Sequence, residues 1–155
     1  RPELAIKILE TNPDLNLIMM GQGVLLDELK LKYSKLIKDG RLFFTGSIDH
    51  SLVPGYHKLS DIYLMVSSTK ENSPSVIIEA MMMGKPVIAT KYDRTAWTVE
   101  NGGVLTNPED IEEFTKSIDL CFTNYSKLSK NALERSKYFA WNSVVLEWNK
   151  LFVNL

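Results

Sequence analysis

Glu71 and Glu79 stand on either side of a segment, Asn72-Ser73-Pro74-Ser75-Val76, that reads as the opening of a helix. Ser73 is of the cap type that accepts from free backbone N–H groups. Pro74 suits the first helical position, where its missing N–H would have no intrahelical partner in any case. The amides around Ser73, Ser75 and Val76 lie at the positive end of the helix dipole, a setting that suits a diphosphate. Carboxylates beside such a nest can accept hydrogen bonds from hydroxyl groups, so the pattern points to a polyol phosphate ligand. Glutamates in an α/β domain ordinarily stand in solvent as loop or surface-helix acids. Here Val76, Ile77, Ile78, Ala80, Met81 and Met83 make the helix apolar almost all round, as for a buried helix. A carboxylate at position 79 of such a helix is costly unless it has partners.

The elements that must position these residues follow from the apolar runs. Pro2 to Glu10 reads as a helix, Leu15 to Met20 as a strand closed by Gly21-Gln22-Gly23, and Leu25 to Lys38 as a helix. Arg41 to Phe44 is a strand, Thr45-Gly46-Ser47 a turn, Pro54 to Leu59 a short helix, and Ile62 to Val66 a strand. The helix opened by Pro74 stops at Gly84, and Pro86 to Ala89 is the next strand. A less regular stretch precedes a last short strand, Gly103 to Leu105. Three helices close the chain, Asn107 to Phe122 with a cap and Pro108 in its first turn, Tyr125 to Tyr138, and Asn142 to Val153. Strands without polar alternation, separated by helices, indicate an α/β fold: a Rossmann-like parallel sheet with helices on both faces. The Glu71–Glu79 segment joins the carboxyl end of one strand to a helix, which is where open α/β sheets bind ligands.

The totals set outer bounds. A chain of 155 residues, 45% hydrophobic and 24% charged, has the balance of a single globular domain. The net charge of −1 and the absence of a dense Lys/Arg run exclude nucleic acid as an expected partner. No window approaches the roughly 20 consecutive apolar residues of a membrane span, and a cytoplasmic location is the default expectation. The single cysteine, Cys121, reads as core. The triplet Met81-Met82-Met83 reads as core filling, His50 and His57 as surface-loop residues, and Trp148, Leu151 and Phe152 as an apolar stripe.

The stretch from Glu71 through Glu79 to Ala80-Met81 and Gly84-Lys85-Pro86-Val87-Ile88-Ala89 resembles the E-x7-E signature of group 1 (family 4) glycosyltransferases of the GT-B fold. The resemblance covers nearly the whole chain. Leu17 to Gly23 is similar to the family's strand and G-x-G turn, Phe44 to Ile48 to its next strand, and Ser60 to Leu64 and Phe139-Ala140-Trp141 also fit. It implies a donor-binding domain over residues 1–155, truncated at its N-terminus, with the N-terminal acceptor domain absent. It further implies that Glu79 binds the ribose hydroxyls of a nucleoside-diphosphate sugar and that Glu71, the residue assigned to catalysis, holds hydroxyls of the transferred sugar. Amides from Asn72, Ser73, Pro74, Ser75 and Val76 would surround the sugar and diphosphate, with Gly21 in the G-x-G turn and the Ile48 backbone against the base. Such transfer retains anomeric configuration and needs no cofactor or bound metal, because amides and basic side chains stabilise the departing diphosphate. The implied acceptor is a glycan or lipid-linked glycan, as in polysaccharide biosynthesis, with peripheral membrane association through the acceptor domain compatible with it.

The sequence departs from the family in places. The loop that carries an Arg and a Lys for the phosphates is not present. Asp93-Arg94 followed by Trp97 stands where relatives read Gly-Gly and then Glu, Ser67 where many have proline, and Asn72-Ser73-Pro74 in place of Gly-Phe-Gly. Two other readings stand beside this one: a non-catalytic nucleotide-sugar-binding subunit with the same donor site beside a separate acceptor protein, and a nucleotide-sugar epimerase, which shares the fold and needs similar phosphate contacts but not the E-x7-E arrangement.

Overall fold

The computed structural model describes residues 1–67 and 75–153. The chain opens in α1 (Pro2–Thr11), which buries Ala5, Ile6, Ile8 and Leu9, and Asn12 closes it by donating through Nδ2 to the Ile8 carbonyl at 3.0 Å. β1 (Leu17–Met20) runs parallel to β2 (Leu42–Gly46), with Leu17 opposite Leu42. Between them lie α2 (Leu26–Lys32) and α3 (Ser34–Lys38). These are two helices where periodicity predicts one: Tyr33, at φ −104° and ψ 26°, breaks the turn while its ring stays in the core.

After β2 a 3-10 turn (His50–Leu52) leads into α4 (Val53–Leu59) and then β3 (Tyr63–Met65). α5 (Ser75–Met82), β4 (Val87–Thr90), α6 (Asp93–Val99) and β5 (Gly103–Thr106) follow, and β3, β4 and β5 pair in that order, all parallel. α5 ends where Gly84, at φ +68°, turns the chain so that its N–H reaches the Met81 carbonyl at 2.9 Å. β4 is buried along its whole length, as a central strand covered on both faces must be. α7 (Ile111–Thr123), α8 (Tyr125–Ser136), a 3-10 turn (Lys137–Phe139) and α9 (Trp141–Val153) complete the described chain.

The α/β architecture and the parallel pairing agree with the expectation from the apolar runs. Among the described residues the strands form a pair and a triplet, β1-β2 and β3-β4-β5, rather than one continuous hydrogen-bonded sheet. Packing joins the two sets. One core cluster takes Ile6, Ile8 and Leu9 from α1, Leu42 from β2, Ile88 from β4, and Phe114, Ile118 and Cys121 from α7. A second gathers Ile77, Met81, Val87, Ala89, Val99 and Ala132. Cys121 is core as expected, and burial pushes its thiol up to about 12.

Two boundaries differ from the sequence reading. α7 starts at Asp110, whose carboxylate accepts from the Glu112 and Glu113 amides at 3.1 and 3.0 Å, so Asn107 and Pro108 belong to the preceding turn. α6 occupies the stretch that has no clear period. Its first turn is held by Thr95, whose hydroxyl accepts from the Tyr92 amide at 3.0 Å and donates to the Thr90 carbonyl at 2.6 Å. The apolar stripe of α9 is real, but Trp148, Leu151 and Phe152 are all exposed.

Candidate functional site at the carboxyl ends of the strands

In a parallel sheet the loops that leave the strands' carboxyl ends share one side of the molecule, and here the segment after β2 and the helix after β3 meet there. α5 buries Ile77, Ala80 and Met81, while Ser75, Val76 and Met82 are exposed. The helix is thus one-sided, not buried all round as its composition suggests, because the methionine triplet divides between core (Met81) and surface (Met82). Glu79 stands on the flank, its side chain 34% exposed. A carboxylate there keeps part of its hydration and remains open to a ligand. Glu71, Asn72, Ser73 and Pro74 lie outside the described residues.

Across from Glu79 is the segment that follows Gly46. Ile48 is half-buried, and Asp49 caps the 3-10 turn by accepting from the Ser51 amide at 2.8 Å and the Ser51 hydroxyl at 2.5 Å. That turn brings His50 Nε2 to 3.9 Å from Glu79 Oε1. His50 is exposed, whereas His57 is not a surface-loop residue: it sits on α4, 2% exposed, edge-on to the Tyr63 ring with centroids 5.4 Å apart. It lies on the short helix expected over Pro54 to Leu59, and the contact with Tyr63, which the local sequence does not show, draws it inward. Gly21, at the end of β1, donates its N–H to the Gly46 carbonyl at 2.9 Å and adopts φ +115°, so the two strand ends are tied to each other.

The electrostatics of this corner centre on Glu79. Burial pushes the Tyr63 hydroxyl up to about 12, and the Glu79 charge adds to the shift. Burial also holds His57 below the ordinary histidine range, with Glu79 opposing that shift and Lys85 reinforcing it. Among the described residues, the Glu79 carboxylate thus acts on Tyr63 and His57, which are shielded from solvent, and stands beside the exposed His50. Sequence reasoning missed His50; its position two residues beyond Ile48 was the one local signal. Among the described residues no three His, Cys, Asp or Glu side chains gather as a metal-binding group, and no helix is long and apolar enough to cross a membrane. A shallow groove of about 320 Å³ lined by Glu100, Asn131, Glu134 and Arg135 lies at the opposite, amino end of β5.

The sequence profile described as "Glycosyl transferases group 1" matches residues 2–138. The chain belongs to the group 1 glycosyl transferases. Among curated relatives, this group 1 chain is 29% identical over 147 residues to a glycosyltransferase of Methanocaldococcus jannaschii, covering 90% of the chain and 37% of that protein. It is 31% identical over 143 residues to a glycosyltransferase of Haemophilus influenzae, covering 88% of the chain and 39% of that protein. Among solved structures, Anabaena HepE in complex with UDP and glucose superposes with a TM-score of 0.79 at 25% identity, over 99% of this chain and 44% of HepE. The fold is the GT-B glycosyltransferase fold seen in these neighbours, and the group 1 chain spans about two-fifths of the length of the curated relatives it matches.

Proposed function

We propose that this chain is the donor-binding half of a retaining group 1 glycosyltransferase that takes its sugar from a nucleoside diphosphate. The observation that carries the reading is the placement of Glu79: 34% exposed on α5, the helix that follows β3, with Oε1 3.9 Å from His50 in the segment after β2 that holds Ile48. In this reading Glu79 accepts from ribose hydroxyls, the Ile48 backbone meets the base and Gly21 shapes the turn beside it. Glu71 accepts from hydroxyls of the transferred sugar. Amides from Asn72 to Val76 at the head of α5 receive the diphosphate. As the sugar–phosphate bond breaks, negative charge grows on the leaving diphosphate, and fixed amides with the helix dipole stabilise it without a metal. The acceptor, a glycan or lipid-linked glycan of polysaccharide biosynthesis, is held by a second, N-terminal half on the cytoplasmic side. The likeness to a structure holding UDP and glucose supports a nucleotide-sugar ligand.

The test is calorimetric titration of the chain with UDP, GDP, ADP and their common sugar conjugates. One nucleotide series binds, and Glu79→Ala weakens it by about tenfold or more, the loss of hydrogen bonds to a charged group. Glu71→Ala weakens the sugar conjugate more than the free diphosphate. Equal losses for both ligands in both variants would overturn the division of roles, and no binding by the parent chain would overturn the donor site.

A further inference from the structure

We infer that His50 is a second recognition residue for the ribose, a hydrogen-bond donor set opposite the Glu79 carboxylate. The inference rests on the donor-binding reading above and adds a residue to it. His50 opens the 3-10 turn after β2, two positions beyond Ile48, and its side chain is 86% exposed. The turn is not slack: Asp49 accepts from both the amide and the hydroxyl of Ser51, which fixes where the His50 backbone points.

His50 Nε2 lies 3.9 Å from Glu79 Oε1. That separation is too long for a direct hydrogen bond and short enough for one hydroxyl to bridge, with its oxygen about 2.8 Å from each atom. The chemistry is complementary. An ionised carboxylate can only accept, an imidazole with its proton on Nε2 donates, and a hydroxyl does both. One ribose hydroxyl thus accepts from His50 and donates to Glu79, where Glu79 alone would leave the hydroxyl's acceptor side to water.

Among the described residues, the other groups around Glu79 do not duplicate this role. His57 on α4 is buried and Tyr63 on β3 is partly buried against it, and Lys85 donates to the Lys58 carbonyl at 3.2 Å. His50, 86% exposed, is the exposed partner of the carboxylate among the described residues.

The experiment titrates the parent chain, His50→Ala, His50→Gln and Glu79→Ala with UDP, GDP and ADP, each beside its 2′-deoxy and 3′-deoxy forms. In His50→Ala the ribonucleotide that binds the parent weakens by about fivefold, the size of one neutral hydrogen bond, and most of the discrimination against one deoxy form disappears. His50→Gln keeps much of that discrimination because its carboxamide still donates. A loss of packing alone would weaken ribo and deoxy ligands equally. If His50→Ala leaves the ribo-to-deoxy ratio unchanged while Glu79→Ala lowers it, the role of His50 is overturned and the donor site stands. If Glu79→Ala also leaves the ratio unchanged, or the parent binds no nucleotide, the donor reading falls and the role of His50 falls with it.

Discussion

Arg135 lies over Trp97, its guanidinium carbon 5.0 Å from the ring centroid, while Nη2 donates to the Trp97 carbonyl at 2.5 Å. The same guanidinium is 4.8 Å from the Tyr138 centroid and 5.0 Å from that of Phe139, and Nε stands 3.3 Å from a Glu100 carboxylate oxygen. One side chain from α8 thereby holds the end of α6 and the Lys137–Phe139 turn together. It also braces Glu100, whose φ of +44° is a conformation that L side chains rarely adopt.

Arg135→Ala is therefore expected to cost about 2–3 kcal/mol, from lost cation–π contacts and from carbonyls left without their donor. Arg135→Lys recovers less than half, because an ammonium cannot stack and fork in this way. Urea unfolding reads the effect directly, and a midpoint unchanged in Arg135→Ala would remove the clamp. Nucleotide affinity stays near the parent value, since Arg135 contacts Trp97, Glu100, Tyr138 and Phe139 and none of the residues assigned to the donor site.

His57 makes stability depend on pH in a stated direction. Its folded value is lowered, chiefly by burial, while in the unfolded chain it titrates near the ordinary value of about 6.5. The unfolded state therefore binds the proton first as pH falls. Stability from neutral His57 is complete above about 6.5 and is lost as pH drops through that value toward the lower folded one. Urea midpoints at pH 7.5 and 5.5 should fall further for the parent than for His57→Phe, which keeps a ring against Tyr63 and cannot titrate. Parallel losses in the two proteins would count against this account.

Two glycines respond in opposite ways to the same substitution. A Cβ at Gly103 would sit 2.0 Å from the Val87 carbonyl oxygen and 2.9 Å from its nitrogen, backbone atoms that cannot yield without separating β4 from β5. Gly103→Ala is expected to cost more than about 3 kcal/mol or to prevent folding. A Cβ at Gly55 in α4 meets nothing within 4 Å, and Gly55→Ala should stabilise by about 0.5–1 kcal/mol through helix propensity and reduced unfolded-state entropy. Thermal unfolding of both variants checks the pair, and a stable Gly103→Ala protein would refute the close approach.

The sequence by itself determined the alternation of strands and helices and the parallel pairing, and its resemblance over Glu71 to Ala89 pointed to the family. The alternation and pairing follow from apolar runs, caps and turn residues that act over a few neighbouring positions, such as the non-alternating strand Val87 to Ala89 and the turn at Gly84. It also pointed to Glu79, Ser75 and Val76, which lie on α5, to Ile48, which follows β2, and to Gly21, which follows β1, while Glu71, Asn72, Ser73 and Pro74 lie outside the described residues. Tertiary structure decided what depends on residues far apart in the chain. Tyr33 breaks one predicted helix into two as its ring enters the core, and Thr95 anchors α6 to the end of β4, a helix that periodicity does not announce. His50 and His57, seven positions apart and alike as letters, separate completely: packing against Tyr63 buries one, and a capped turn sets the other 3.9 Å from Glu79. Burial and side-chain distance are set by packing between elements, and local pattern carries neither.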